Sequence, residues 1–341
     1  MQPVAPLPAP QPEQSEPKAS LLARLFRGRS GLVLRLAFTV LPFAWLAQRV
    51  RLDEVASNVA RVGAQNLGLA TIAFGLAYVP ATLRWKLLMR AYGANETPPF
   101  FTLLRHQLVC AYFNVLPSGV AGDFVRAQRV REWLPNAATS FAIVFIERIA
   151  GLIGLLLLAA LASLASLYGE GIDSGLLVEA FVLTTALALG ASFVLFGVPY
   201  LVDKRPKLGG LLQRLALLGP LLLRIPKPQS AWGLVKAVGL SLGTQGCALF
   251  SLSLLLRPVV DVSQLLACMQ VAPLAILLTY IPITPGGVAQ REAIYAYLFA
   301  FANVAESTSV AVSLSFFFAQ MTVAAIGGVV HLGERLATGR A

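Results

Sequence analysis

Glu147 and Arg148 stand side by side in AATSFAIVFIERIAGLIGLLLLAALA, about ten residues inside an apolar run at 138–168. At about 1.5 Å per helical residue they lie roughly 15 Å deep, near the centre of a bilayer. A charge there is costly unless it is paired or hydrated. Adjacent residues diverge by about 100° around a helix, so the two need not neutralise each other. Two readings stay open. Either these charges pair with a neighbouring helix and fix the bundle, or they face a polar cavity. In the second case the planar donor fork of Arg148 would hold a phosphate.

Arg126 and Arg291 open the helices expected after two interruptions of apolar sequence. The first interruption reads Pro117-Ser118-Gly119-Val120-Ala121-Gly122-Asp123, and the second Pro285-Gly286-Gly287-Val288-Ala289-Gln290-Arg291-Glu292. They share P-x-G-V-A, with Gly119 and Gly287 standing 168 residues apart (287 less 119), close to half of the 341. Asp123 and Glu292 are the expected local counter-charges, and Asn114 lies on the arm before the first break. A helix broken inside a membrane frees backbone groups that only protein or a wet cavity can satisfy. The expected binding set is therefore Arg126, Glu147, Arg148, Arg291, Asp123, Glu292 and Asn114. Pro117, Gly119, Gly122, Pro285, Gly286 and Gly287 would shape the cavity, glycine allowing sharp turns and close approach. The helix N-termini after the breaks would turn partial positive charge towards it. Two proline kinks in ordinary spans are the alternative.

These residues sit in a chain that is 57% hydrophobic and 13% charged, with mean hydropathy +0.73. Soluble domains carry about a quarter charged residues. Lipid must therefore be the solvent for most of this surface. The net charge of +11 gathers between apolar runs, which reads as cytoplasmic loops and not as a nucleic-acid face. Cys110, Cys247 and Cys268 all fall in apolar segments and read as small core residues. With only His106 and His331 in the chain, a histidine-based metal or haem site is not expected. No cofactor motif, Walker loop, HExxH or GxSxG is present.

Residues 1–30 read as a disordered Pro-rich tail with a basic flank of Lys18, Arg24, Arg27 and Arg29, placing the N-terminus in the cytoplasm. Six runs are apolar enough to span: about 31–48, 67–89, 138–168, 176–200, 231–257 and 306–332. Arg84, Lys86 and Arg90 would close the second on the cytoplasmic side. Arg49, Arg51 and Arg61 fall in a loop that this scheme puts outside, against the charge rule. Trp85, Trp133 and Trp232 read as aromatic-belt anchors. Regions 99–134 and 262–304 are read as re-entrant helical hairpins, each an apolar arm, a break and a second arm. The fold class expected is an all-α polytopic membrane protein of about six full spans plus two hairpins. The membrane domain runs over 31–335, in halves of about 31–168 and 176–335. Each half makes an odd number of crossings, so the second enters from the opposite side as an inverted-topology repeat. Interrupted segments at matching places in two such halves point to a transporter's binding site.

The ordered set Arg84-Trp85, FNVLPSGVAGDFVR at 113–126, Glu147-Arg148 with Gly151-Leu152, and IPITPGGVAQREA at 281–293 resembles the flippase-like membrane domain of lysylphosphatidylglycerol synthases. The resemblance covers about 30–335. Ala121-Gly122 stands where family members more usually have two glycines, and Glu147 where they often have Asp. The resemblance implies movement of an amphipathic lipid between leaflets of a bacterial cytoplasmic membrane. The sequence ends at Gly339-Arg340-Ala341 soon after the last apolar run, so a stand-alone member without the synthase domain is expected. The lipid would be anionic or glycosylated, and no cofactor is called for. The alternatives are an embedded lipid-modifying enzyme, or a scaffold partnering a lipid synthase or glycosyltransferase. A transporter of soluble small molecules is a further alternative, disfavoured only by the resemblance.

Overall fold

The protein is seen in a computed structural model that describes residues 51–115, 121–166, 174–204, 226–280 and 289–338. The tail at 1–30, the expected span at 31–48, and Pro117, Gly119, Pro285, Gly286 and Gly287 lie outside the described residues. Among those described, all regular structure is helical. Helices α1 (Leu52–Leu76) and α2 (Tyr78–Ala91) run almost end to end. They are followed by α3 (Phe100–Asn114), α4 (Ala121–Arg129) and the long α5 (Ala137–Ser166). Next come α6 (Ser174–Ser192), a π-helical turn Phe193–Gly197 and α7 (Val198–Lys204). The chain closes with α8 (Ala231–Leu256), α9 (Val262–Thr279), α10 (Gln290–Ala300) and the long α11 (Glu306–Thr338).

The stretch expected as an external loop around Arg51 and Arg61 is helix from Leu52 onward. Its acidic first turn explains this, for Asp53 and Glu54 both pair with Arg51, at 3.1 and 3.4 Å, and suit the positive end of a helix. Gly63, at φ 72, kinks the helix. Pro80 in the first turn of α2 cannot donate back to Leu76, and the chain breaks at Ala77. Together α1 and α2 cover 40 residues, or about 60 Å, twice the hydrocarbon core.

Six stretches are long and apolar enough to span: Leu52–Ala91, Ala137–Ala165, Val178–Val202, Ala231–Leu256, Val262–Thr279 and Glu306–Ala337. The fifth is α9, the first arm of the second expected hairpin, which joins the set where 31–48 lies outside the described residues. The helices α3 and α4 form an antiparallel pair of unequal arms, and α9 with α10 forms another. The second arms, of 9 and 11 residues, reach about 14 and 17 Å, short of a hydrocarbon core of about 30 Å. Asp261 starts α9 with a capping box, accepting from the Gln264 amide at 2.8 Å, while Gln264 Nε2 donates to the Asn303 carbonyl at 2.7 Å.

Helices early in the chain pack against helices late in it. The first pair's α3 packs on α11, and the second pair's α9 packs on α5. Likewise α1 packs on α11 while α8 packs on α5, and α8 lies against both α1 and α2. Two large apolar cores result among the described residues, beside a small one of Val55, Ala296, Val310 and Ala311. One large core gathers Leu252, Val271, Phe299 and Phe316, the other Trp85, Leu103, Ile146 and Leu234. The outward faces stay apolar, with Ile72, Leu183, Phe250, Phe318 and Val329 all exposed. Such a belt is a liability in water and is satisfied in lipid.

Contacts also sort the charged ends. The end of α2 meets the start of α8 through Gln229 N donating to the Ala91 carbonyl at 2.7 Å. At that end Arg105 and Arg129 both hold Glu334 of α11, at 2.8 and 2.7 Å. Lys204, Lys227, Lys236 and Arg335 belong to the same end. The opposite end carries Asp53, Glu54, Asp261 and Glu306 together with Arg51 and Arg257.

Candidate functional site

Glu147 is reached from three helices. Arg84 of α2 approaches with Nη2 at 3.0 Å from Oε1, and Arg126 of α4 pairs closely with Oε2. Gln107 of α3 completes the cluster, accepting from Arg126 Nη1 at 2.9 Å and pointing its amide at Glu147 from 3.5 Å. Ser241 of α8 accepts from Arg84 Nη1 at 2.9 Å and donates to the Ala237 carbonyl at 3.1 Å. Arg126 also stacks over the Trp85 ring, 5.0 Å from its centroid. The Glu147 side chain is 2% exposed. A carboxylate so buried is tolerable because two guanidinia share it. The Nε atoms of Arg84 and Arg126 are enclosed without partners.

Arg148 points elsewhere, as the angular step between neighbours requires, and donates from Nε to Asp123 of α4. Its side chain is 47% exposed. Asn114 and Gly122 close the first pair, Asn114 Oδ1 accepting from the Gly122 amide at 3.1 Å. A Cβ on Gly122 would stand 2.1 Å from the Cys110 carbonyl oxygen, so only glycine allows α3 and α4 to meet there.

The second cluster sits where α10 meets α11. Arg291 pairs with its neighbour Glu292, Nε lying 3.1 Å from Oε1 and 3.1 Å from Ser313 Oγ, and its guanidinium lies 4.1 Å from the Phe317 ring centroid. Both side chains are buried.

Between the clusters lies a half-open cavity of about 210 Å³, midway along α8 and α11 and around the α1–α2 junction. Its polar lining is Tyr78, Thr244, Gln245, Tyr280 and Gln320. Phe74 and Phe316 form an aromatic wall, edge to face at 5.7 Å. The first cluster is one helical turn away, since Arg84 follows Ala81 and Ser241 precedes Thr244 and Gln245. The second is as near, since Ser313 precedes Phe316 on α11. Tyr280 stands directly before the second break.

A family model described as lysylphosphatidylglycerol synthase TM region matches residues 32–328. The chain belongs to that family. Comparison with curated proteins and with solved structures gave no significant match.

In this member of the lysylphosphatidylglycerol synthase transmembrane family, the expected site residues divide. Asp123, Arg126, Glu147 and Arg148 come together with Asn114 and Gly122 around the first pair, while Arg291 and Glu292 form a separate cluster. Arg291 takes the counter-charge expected of it. Arg126 does not, for it pairs with Glu147 and leaves Asp123 to Arg148. Two further readings need correction. Arg84 does not close a span at the membrane surface but is buried on Glu147, and Trp85 is a fully enclosed core residue beneath Arg126. Gln107, Ser241, Ser313 and the cavity residues were not anticipated. Gln245 and Gln320 did leave a signal, since each is an isolated amide in an apolar run, and polar residues inside a span mark functional positions.

Proposed function

We propose that this protein moves an amphipathic lipid, anionic or glycosylated, between the leaflets of a bacterial cytoplasmic membrane. The headgroup would pass through the cavity while the tails remain in lipid. What carries the reading is that cavity, because it places hydrogen-bonding side chains midway along helices of membrane length, where an apolar bundle has no structural need of them. Family membership supports a lipid-related role.

The N-terminus and the basic end of the bundle would face the cytoplasm, by the distribution of lysine and arginine. The α3–α4 and α9–α10 pairs would dip as re-entrant hairpins from opposite sides. Their reciprocal packing on α11 and α5 is what two halves of an inverted repeat would display. Cysteine labelling at Ser118 and Thr284 should then give opposite sidedness for the two approaches.

The translocation test is reconstitution into liposomes with tail-labelled lipids, followed by bleaching of the outer leaflet. Movement well above that of empty liposomes is expected. No movement of any lipid class removes the function, and conversion of lipid in detergent, where leaflets do not exist, would mark an enzyme instead.

A further inference from the structure

The cavity walls hydrogen-bond but carry no charge. Gln245 is 7% exposed, and its amide has no hydrogen-bond partner among the described residues. The same holds for the Gln320 amide and for the Tyr78 and Tyr280 hydroxyls. An amide presents two donors and an acceptor, and a phenol one of each. Buried polar groups nearly always have partners, because leaving them unmet is costly. Gln245 is such a buried group, and the part-exposed Tyr78 and Gln320 and the exposed Tyr280 add further donors and acceptors to the same cavity, so that together they read as a recognition surface.

The guanidinia nearby are differently placed. Arg84 and Arg126 are held on Glu147, Arg148 on Asp123, and Arg291 on Glu292. A headgroup phosphate could take Arg84, Arg126 or Arg291 only by displacing carboxylates that are themselves 2–3% exposed. That exchange would leave a carboxylate buried and unpaired, which the interior strongly opposes. The aromatic edges and faces of Phe74, Tyr78 and Phe316, meanwhile, offer apolar surface beside the amides.

From this geometry we infer that the cavity receives a neutral, hydroxyl-rich headgroup, a sugar or polyol carried on a lipid. The buried Arg84, Arg126 and Arg291 hold the helix pairs in place and do not grip a phosphate. The inference rests on the translocation reading and names its substrate class. Gln245 and Gln320 are its specificity-determining residues.

The test uses the full-length protein in liposomes with three probes: tail-labelled monoglucosyldiacylglycerol, tail-labelled phosphatidic acid, and free radiolabelled glucose. The glucolipid should cross about ten-fold faster than phosphatidic acid, and free glucose should not enter. The double substitution Gln245→Leu, Gln320→Leu should slow the glucolipid roughly ten-fold or more, since it removes two sets of hydrogen bonds. Helical content and thermal midpoint should hold, because neither amide has a hydrogen-bond partner among the described residues to lose. The inference is overturned if phosphatidic acid keeps pace, if the double variant is as fast as the parent, or if glucose alone is transported. Should no lipid cross at all, translocation fails separately, and binding in nanodiscs decides the headgroup. Saturable glucolipid binding that the double variant loses supports the inference, and its absence refutes it.

Discussion

Arg84 and Glu147, 63 residues apart in sequence, meet at 3.0 Å inside the bundle, and Arg126 closes on the same carboxylate from the other side. One acidic group thus ties α2 and α5 to the short arm of the first helix pair. In a hydrocarbon-rich interior such a tie is strong, because water cannot replace either partner.

Replacing Glu147 by Ala should therefore cost about 3–5 kcal/mol, the range for stranding a buried partner. Its sequence neighbour should behave differently. Arg148→Ala breaks a half-exposed pair and should cost about 1 kcal/mol or less. Denaturation in mixed micelles measures both, and equal effects would contradict the separation of the two charges.

Gly122 and Gly327 are contact glycines. A Cβ would lie 2.1 Å from the Cys110 carbonyl oxygen at the first and 1.9 Å from the Leu108 carbonyl oxygen at the second. Alanine at either position should push α3 away from α4 or α11, at about 1–3 kcal/mol. Gly246→Ala in α8 is the control, having nothing within 4 Å. It should leave stability unchanged or raise it by up to about 1 kcal/mol.

Ala289 begins α10 at φ 63, a backbone region that a Cβ disfavours. Ala289→Gly should relieve that strain and raise stability by about 1 kcal/mol. A rise in thermal midpoint with unchanged helical content is the expected result, and a fall would mean that the alanine side chain contributes more by packing than its conformation costs.

The capping hydrogen bonds from the Gln264 amide and the Ser263 hydroxyl hold the Asp261 carboxyl below its ordinary range. A carboxyl depressed in the folded state stabilises above its unfolded pKa of about 4 and loses that contribution as pH falls through the folded value. Asp261→Asn should be less stable than the parent at pH 7, and the gap should narrow on acidification to pH 3. A gap independent of pH would show that the carboxylate charge is not what caps α9.

Much of the fold follows from residue type and local spacing. Apolar runs such as 138–168 and 306–332 must be helices in lipid, because a helix alone satisfies its own backbone there. A lone Glu147 in such a run must find a partner. What the sequence could not say is which partner. Asp123 lies three residues from Arg126 and looked like its counter-charge, yet the approach of α4 to α5 delivers Arg126 to Glu147 and Asp123 to Arg148. Local periodicity assigns a residue to a face, but only the crossing of two helices decides what that face meets. The cavity depends on this even more. Gln245 and Gln320 are single amides on α8 and α11, and their convergence with Tyr78 and Tyr280 comes from packing four separate stretches of chain. Glu147 was therefore legible as a charge in need of a partner, whereas Arg84 as that partner, and the uncharged cavity beside the pair, were decided by the tertiary structure.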